Sequence, residues 1–162
     1  MSMPTSFDEC FRVLLGTEGG YVDHPADPGG ATRWGVTERV ARAAGYVGDM
    51  REFPESEAKR IYHRQYWAPA RTDELPPAIR QAVFDAAVNS GVAQSAKWLQ
   101  RAIGAKDDGV IGSQTIMMAR ASTPDFVLRR MLSQRLRFMT DLKTWPHFSR
   151  GWARRIADML EG

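Results

Sequence analysis

Apolar residues recur at helical rather than strand spacing along most of this chain, and that periodicity confines it to a mainly α fold. In SFDECFRVLLGTE, Phe7, Phe11, Leu14 and Leu15 fall on one stripe behind Ser6 and Glu9, which stand at capping-box spacing. The pattern predicts a first helix reaching about Thr17 and stopped by Gly19 and Gly20. Thr37 reads as the cap of a short second helix ending at Gly45. PESEAKRIYHRQYW and PPAIRQAVFDAAVNSG repeat the helical spacing, the second through Ile79, Val83, Phe84, Ala87 and Val88. Further helices are expected through WLQRAI, from Gly112 and Ser113, after Thr123 and Pro124, and around GWARRIADML. A short hairpin in the segment between the first two helices is the most β structure the pattern allows.

A length of 162 residues with 43% hydrophobic and 25% charged positions suits one core and is too short for two ordinary domains. The expectation is one compact domain over 1–162, with a lobe at 1–75, a helical lobe at 76–162, and TDELPP as the joint. The lone Cys10 excludes an internal disulfide and reads as a core residue. A net charge of +3 is too modest to identify an anionic partner. The arginines of VLRRMLSQRLR and SRGWARR are read as solvated helix faces, not as a nucleic-acid surface. No stretch has the length of a membrane span, so no membrane insertion is expected.

Between the first two helices lies EGGYVDHPADPGGATRWGVT, residues 18–37. Its glycines and prolines set backbone shape, and the side chains between them supply the chemistry. Glu18 falls at the C-terminal end of the first predicted helix, where the macrodipole and unpaired carbonyls push a carboxyl pKa upward. Apolar surroundings from Tyr21 and Trp34 push the same way, toward a group that holds a proton near neutrality. Asp23 and Asp27 each carry two readings: turn residues bonding their own backbone, or the second member of a carboxylate pair. His24 has no second histidine at ligand spacing, so no metal is expected.

EGGYVDHPADPGGATRWGVT resembles the signature of family 108 of the glycoside hydrolases, lysozyme-like N-acetylmuramidases of phage lysis modules and secretion systems. The resemblance implies that Glu18 is the catalytic acid, with Gly19, Gly20 and Tyr21 in register. It aligns Asp27 with the aspartate before Pro-Gly-Gly, Thr32 with the threonine after Gly-Gly-Ala, and Gly35, Val36 and Thr37 with the closing Gly-Val-Thr. Glu18, Asp27 and Thr32 also lie within about one residue of the Glu, Asp, Thr spacing of phage-type lysozymes. Asp23 and His24 depart from the family pattern, which often has Asn-Asp there. FDAAVNSGVAQSAKWLQRAIGAKDDGVIGSQT resembles the peptidoglycan-binding segment that follows the motif in that family. On the residues alone, Asp108 and Gly109 form a turn and Leu99 and Ile103 pack inward. Asp85 and Asn89, one helical turn apart, either face a groove suited to sugar hydroxyls and acetamides or bond a neighbouring loop.

The resemblance implies a lysozyme-like muramidase that cuts the β-1,4 bond between N-acetylmuramic acid and N-acetylglucosamine. Glu18 would be the acid, Asp27 and Thr32 would hold or activate water, and Tyr21, Asp23, Trp34, Asp85 and Asn89 would contact substrate, with burial in the core an equal reading for Tyr21 and Trp34. No cofactor is expected. Peptidoglycan glycan strands are the expected partner, and the protein is expected to be a monomer. MSMPTSFDEC has no basic segment leading into an apolar run, so the expectation is synthesis in the cytoplasm and action on the wall after release by a membrane-permeabilising partner. A lytic transglycosylase, which needs one acid-base glutamate and no water, and a non-catalytic wall-binding or secretion-accessory module are the alternatives.

Overall fold

Helix α1, Phe7–Leu15, begins at a reciprocal cap: Ser6 Oγ accepts from the Glu9 amide, and Glu9 Oε2 accepts from the Ser6 and Thr5 amides at 3.0 and 2.9 Å. The computed structural model describes residues 2–16 and 19–161 of the chain. The helix buries Cys10 and Phe11 and stops at Gly16, which takes φ 57° and returns its amide to the carbonyls of Arg12 and Val13. The stop therefore comes earlier than the Gly19–Gly20 pair, because Gly16 already enters the positive-φ region without a Cβ penalty. Thr17, the expected helix end, lies outside the described residues.

The cap gives a pH prediction. Backbone donation from Thr5 and then Ser6 lowers the Glu9 pKa from 4.5 to about 2. The ionised cap therefore stabilises the fold above pH 4.5, and that contribution is lost as pH falls toward 2. Thermal melts of Glu9→Gln are expected to lose part of this acid dependence and to lie below wild type at neutral pH. Parallel curves at every pH would show that the cap is not the titrating element.

Strands β1, Thr32–Arg33, and β2, Val36–Thr37, form an antiparallel hairpin, extended on its other side by a bridge from Val22 to Thr32. Thr37 then caps α2, Glu38–Ala43. A 3₁₀ turn at Met50–Glu52 leads to α3, Glu55–Tyr62, which runs on as one π turn through Trp67. Helix α4, Pro77–Ser90, is the hub: residues 81–87 are all buried. Phe84 joins the aromatic core of Phe11, Tyr62 and Trp67, whereas Ile79, Val83 and Ala86 face Trp98, Leu99 and Val127. Ala82 meets a third cluster with Leu132 and Ile156. Burial on every side removes the amphipathic signature, as expected for a helix inside a bundle.

Helices α5, Val92–Ile103, α6, Ser113–Ala121, α7, Pro124–Thr140, and α8, Trp145–Glu161, complete the eight α-helices among the described residues. The fold is mainly α, with a small two-stranded sheet among the described residues. Cys10 is fully buried, and burial pushes its thiol up to about 12. The arginine run divides: Arg129, Arg130 and Arg137 are exposed, but Arg135 is buried, which corrects its reading as a solvated face.

Candidate active site

The loop from Gly19 to Thr37 is shaped by close backbone approaches. Trp34 and Gly35 form the two-residue hairpin turn, with φ 52° and 72°. Positive φ at both positions is what a type I′ turn requires, and it suits the twist of the flanking strands. Trp34 supplies it despite being a bulky non-glycine residue, and its indole Nε1–H donates to the Phe53 carbonyl at 2.9 Å. Its six-membered ring lies over Gly19, where a Cβ would come within 2.5 Å of Cζ3. A Cβ on Gly35 would lie 2.5 Å from the Tyr62 hydroxyl. Gly19 and Gly35 are thus both sterically required, the first by the Trp34 ring and the second by the Tyr62 hydroxyl.

Directly paired strand residues share a face. Thr32 pairs with Thr37 and with the exposed Val22, whereas Arg33 pairs with the buried Val36. The Thr32 side chain therefore projects from the open face of the hairpin. Asp27 Oδ1 accepts from the Gly29 amide at 2.8 Å, an Asx turn that holds the loop in shape. A Cβ on Gly29 would meet Thr37 Cγ2 at 2.9 Å and Asp27 Oδ1 at 3.2 Å, so the Asp27 carboxylate and Thr37 flank the same glycine. One Asp27 oxygen is occupied by the turn, and neither Asp27 nor Thr32 lines the cleft beside the hairpin. Glu18 lies outside the described residues.

A cleft of ≈ 470 Å³ opens beside the hairpin, lined by Tyr21, Asp23, Glu38, Arg42, Val47, Gly48 and Asp49 among others. It gathers two of the expected substrate residues, Tyr21 and Asp23, whose phenol and carboxylate lie 3.4 Å apart. Arg51 stands 5.8 Å from the Tyr21 ring centre. Sequence reasoning missed Glu38, Arg42 and Asp49. The Glu38–Arg42 pair at i, i+4 spacing was the available signal, and Arg42 also donates to the Tyr46 and Gly48 carbonyls at 3.0 and 2.7 Å. Carboxylates, a phenol and an immobilised guanidinium give this cleft acceptors and donors for carbohydrate hydroxyls. Trp34 is half-buried and fills the loop instead of lining this cleft.

Asp85 and Asn89 stand apart from that cleft. Asp85 is 1% exposed, and its carboxylate is held by Arg135 of α7 and, at 2.8 Å, by Arg155 of α8. Asn89 Nδ2 donates back to the Asp85 carbonyl at 2.8 Å. The expectation of a sugar-facing pair is corrected for Asp85, because its oxygens are already committed to two arginines. Asp85 instead helps to form the floor of a separate groove of ≈ 440 Å³ between α1, α4 and α8.

The motif-like residues of the second half also have internal partners. Buried Gln100 donates through Nε2 to Asp108 Oδ1 and the Val110 carbonyl, both at 2.9 Å, and accepts from the Gly109 amide at 3.0 Å. One glutamine thus ties the turn at residues 108–110 to α5. Among the described residues, no group of three His, Cys, Asp or Glu side chains is placed to hold a metal.

The model of the family Glycosyl hydrolase 108 matches residues 11–91, which contain the entire hairpin loop and α2 to α4. The chain belongs to this family. The solved structure of Brucella abortus SagA is 33% identical, with a TM-score of 0.82, covering 96% of this chain and 91% of that one. No curated protein matches the chain. Family 108 membership makes this a glycoside hydrolase and supports a muramidase-type role on peptidoglycan.

Proposed function

We propose that this protein is an N-acetylmuramidase that hydrolyses the β-1,4 bond between N-acetylmuramic acid and N-acetylglucosamine in peptidoglycan. The observation that carries the reading is the family match over residues 11–91, which includes Glu18 and the full Gly/Pro loop. Glu18 is the general acid: it protonates the glycosidic oxygen as the bond to the anomeric carbon breaks. Asp27 is the second carboxylate and Thr32 orients water, a reading supported by their place in the loop that the family match covers. Tyr21 and Asp23 contact the glycan in the cleft beside the hairpin.

Digestion of purified peptidoglycan, with both new ends identified by mass spectrometry, tests the proposal. Reducing N-acetylmuramic acid ends are expected. Anhydro ends would replace hydrolysis by transglycosylation, reducing N-acetylglucosamine ends would move the cut to the other linkage, and absence of cleavage would indicate a non-catalytic wall-binding module. In the same digest Asp27→Asn is expected to slow product release more than Asp23→Asn, because only Asp27 stands in register with the family motif. The opposite order would transfer the second role to Asp23.

A further inference from the structure

Arg155 joins two things that lie far apart in sequence. From α8 its Nε donates to Asp85 Oδ1 at 2.8 Å, and its Nη2 donates to the Leu14 carbonyl at 3.4 Å. Leu14 is in the last turn of α1, where carbonyls lack intrahelical partners and a cation is favourable. The carbonyls of Arg12 and Val13 are already taken by the Gly16 amide. Arg155 therefore adds a bond to a carbonyl in the last turn of α1. Asp85 in turn fixes the guanidinium, and Arg135 fixes Asp85 from the other side.

Stability alone does not account for this cluster. Taking a carboxylate and guanidinium out of water costs several kcal/mol, and well-packed apolar side chains of similar volume are often at least as stabilising. Apolar side chains would pack the same space, but none would bond the end of α1. The chain leaves α1 through Gly16, which takes φ 57° with its amide bonded back into the helix. It is fixed again at Gly19, which lies under the Trp34 ring and accepts from the Trp34 amide at 3.3 Å. In sequence, Glu18 falls between these two fixed points.

We propose that Arg155 is a positioning residue for the catalytic acid: anchored on Asp85, it clamps the C-terminal end of α1, while Trp34 clamps the far side at Gly19. This rests on the assignment of Glu18 above. The Arg155 side chain is 37% exposed, and Asp85 keeps Arg135 when it is removed, so the fold tolerates its loss. Arg155→Met is expected to lower kcat on soluble glycan strands about tenfold while KM stays within about twofold, the pattern of a lost transition-state alignment. Arg155→Lys restores only part of kcat, since a single ammonium lacks the fork that bonds two acceptors at once.

Amide hydrogen exchange reads the clamp directly. The Gly16 amide is expected to exchange about tenfold faster in Arg155→Met, with the α4 core amides unchanged. A kcat within twofold of wild type, unchanged Gly16 exchange, or equal acceleration throughout the protein would each overturn the proposal. If wild-type protein releases no glycan fragments, the muramidase reading fails, and the exchange arm still decides whether Arg155 holds α1.

Discussion

Glu18→Gln is expected to fold as the wild type does and to lose about 10²–10⁴-fold of its peptidoglycan cleavage, the range that a positioned general acid contributes. The amide has nearly the shape of the carboxylic acid but no proton of suitable acidity for a departing glycosidic oxygen. The assignment rests on register: Glu18 directly precedes Gly19, Gly20 and Tyr21, and Gly19 is the residue whose missing Cβ admits the Trp34 ring. A variant that melts with wild-type cooperativity and releases no reducing ends would support the role. Wild-type turnover by Glu18→Gln would remove Glu18 from the chemistry and leave the loop carboxylates Asp23 and Asp27 as the remaining acid candidates. A substantial loss of melting temperature would instead assign Glu18 to the fold.

What was legible in the sequence was local. The Ser6–Glu9 cap and the Thr37 cap are readable because both partners of each bond lie within three residues. The α1 stop was misplaced because Gly16, Gly19 and Gly20 all tolerate positive φ, and local spacing does not rank them. A hairpin in the loop was foreseeable, but its turn was not, since Trp34 is a residue type that rarely takes positive φ. Resemblance to the family marked Glu18, Asp27 and Thr32, whereas the Glu38, Arg42 and Asp49 side of the cleft carried only a helix-surface pair as its signal. Asp85 was the largest misreading. Its partners Arg135 and Arg155 lie 50 and 70 residues away, and helical periodicity cannot distinguish an arginine that solvates a helix face from one that turns inward to a buried carboxylate.

That buried carboxylate carries the second large effect, this time on stability. Asp85→Ala is expected to destabilise the protein by about 3–5 kcal/mol, the usual cost of removing one partner of a buried ion pair. For a chain of this size that corresponds to a melting point lower by roughly 6–20 °C. The penalty falls mainly on Arg135, whose side chain is 4% exposed, whereas Arg155 at 37% can turn toward water. Arg135 Nε is already buried without a hydrogen-bond partner among the described residues, so the loss of Asp85 leaves the whole guanidinium uncompensated. Removing the stranded charge as well should therefore recover much of the loss: Asp85→Leu combined with Arg135→Met is expected to melt well above Asp85→Ala. Thermal and urea unfolding of wild type, the single variant and the double variant measure this directly. A single variant within about 1 kcal/mol of wild type would mean that water reaches Arg135, and a double variant no better than the single would place the value of the cluster in packing instead of charge.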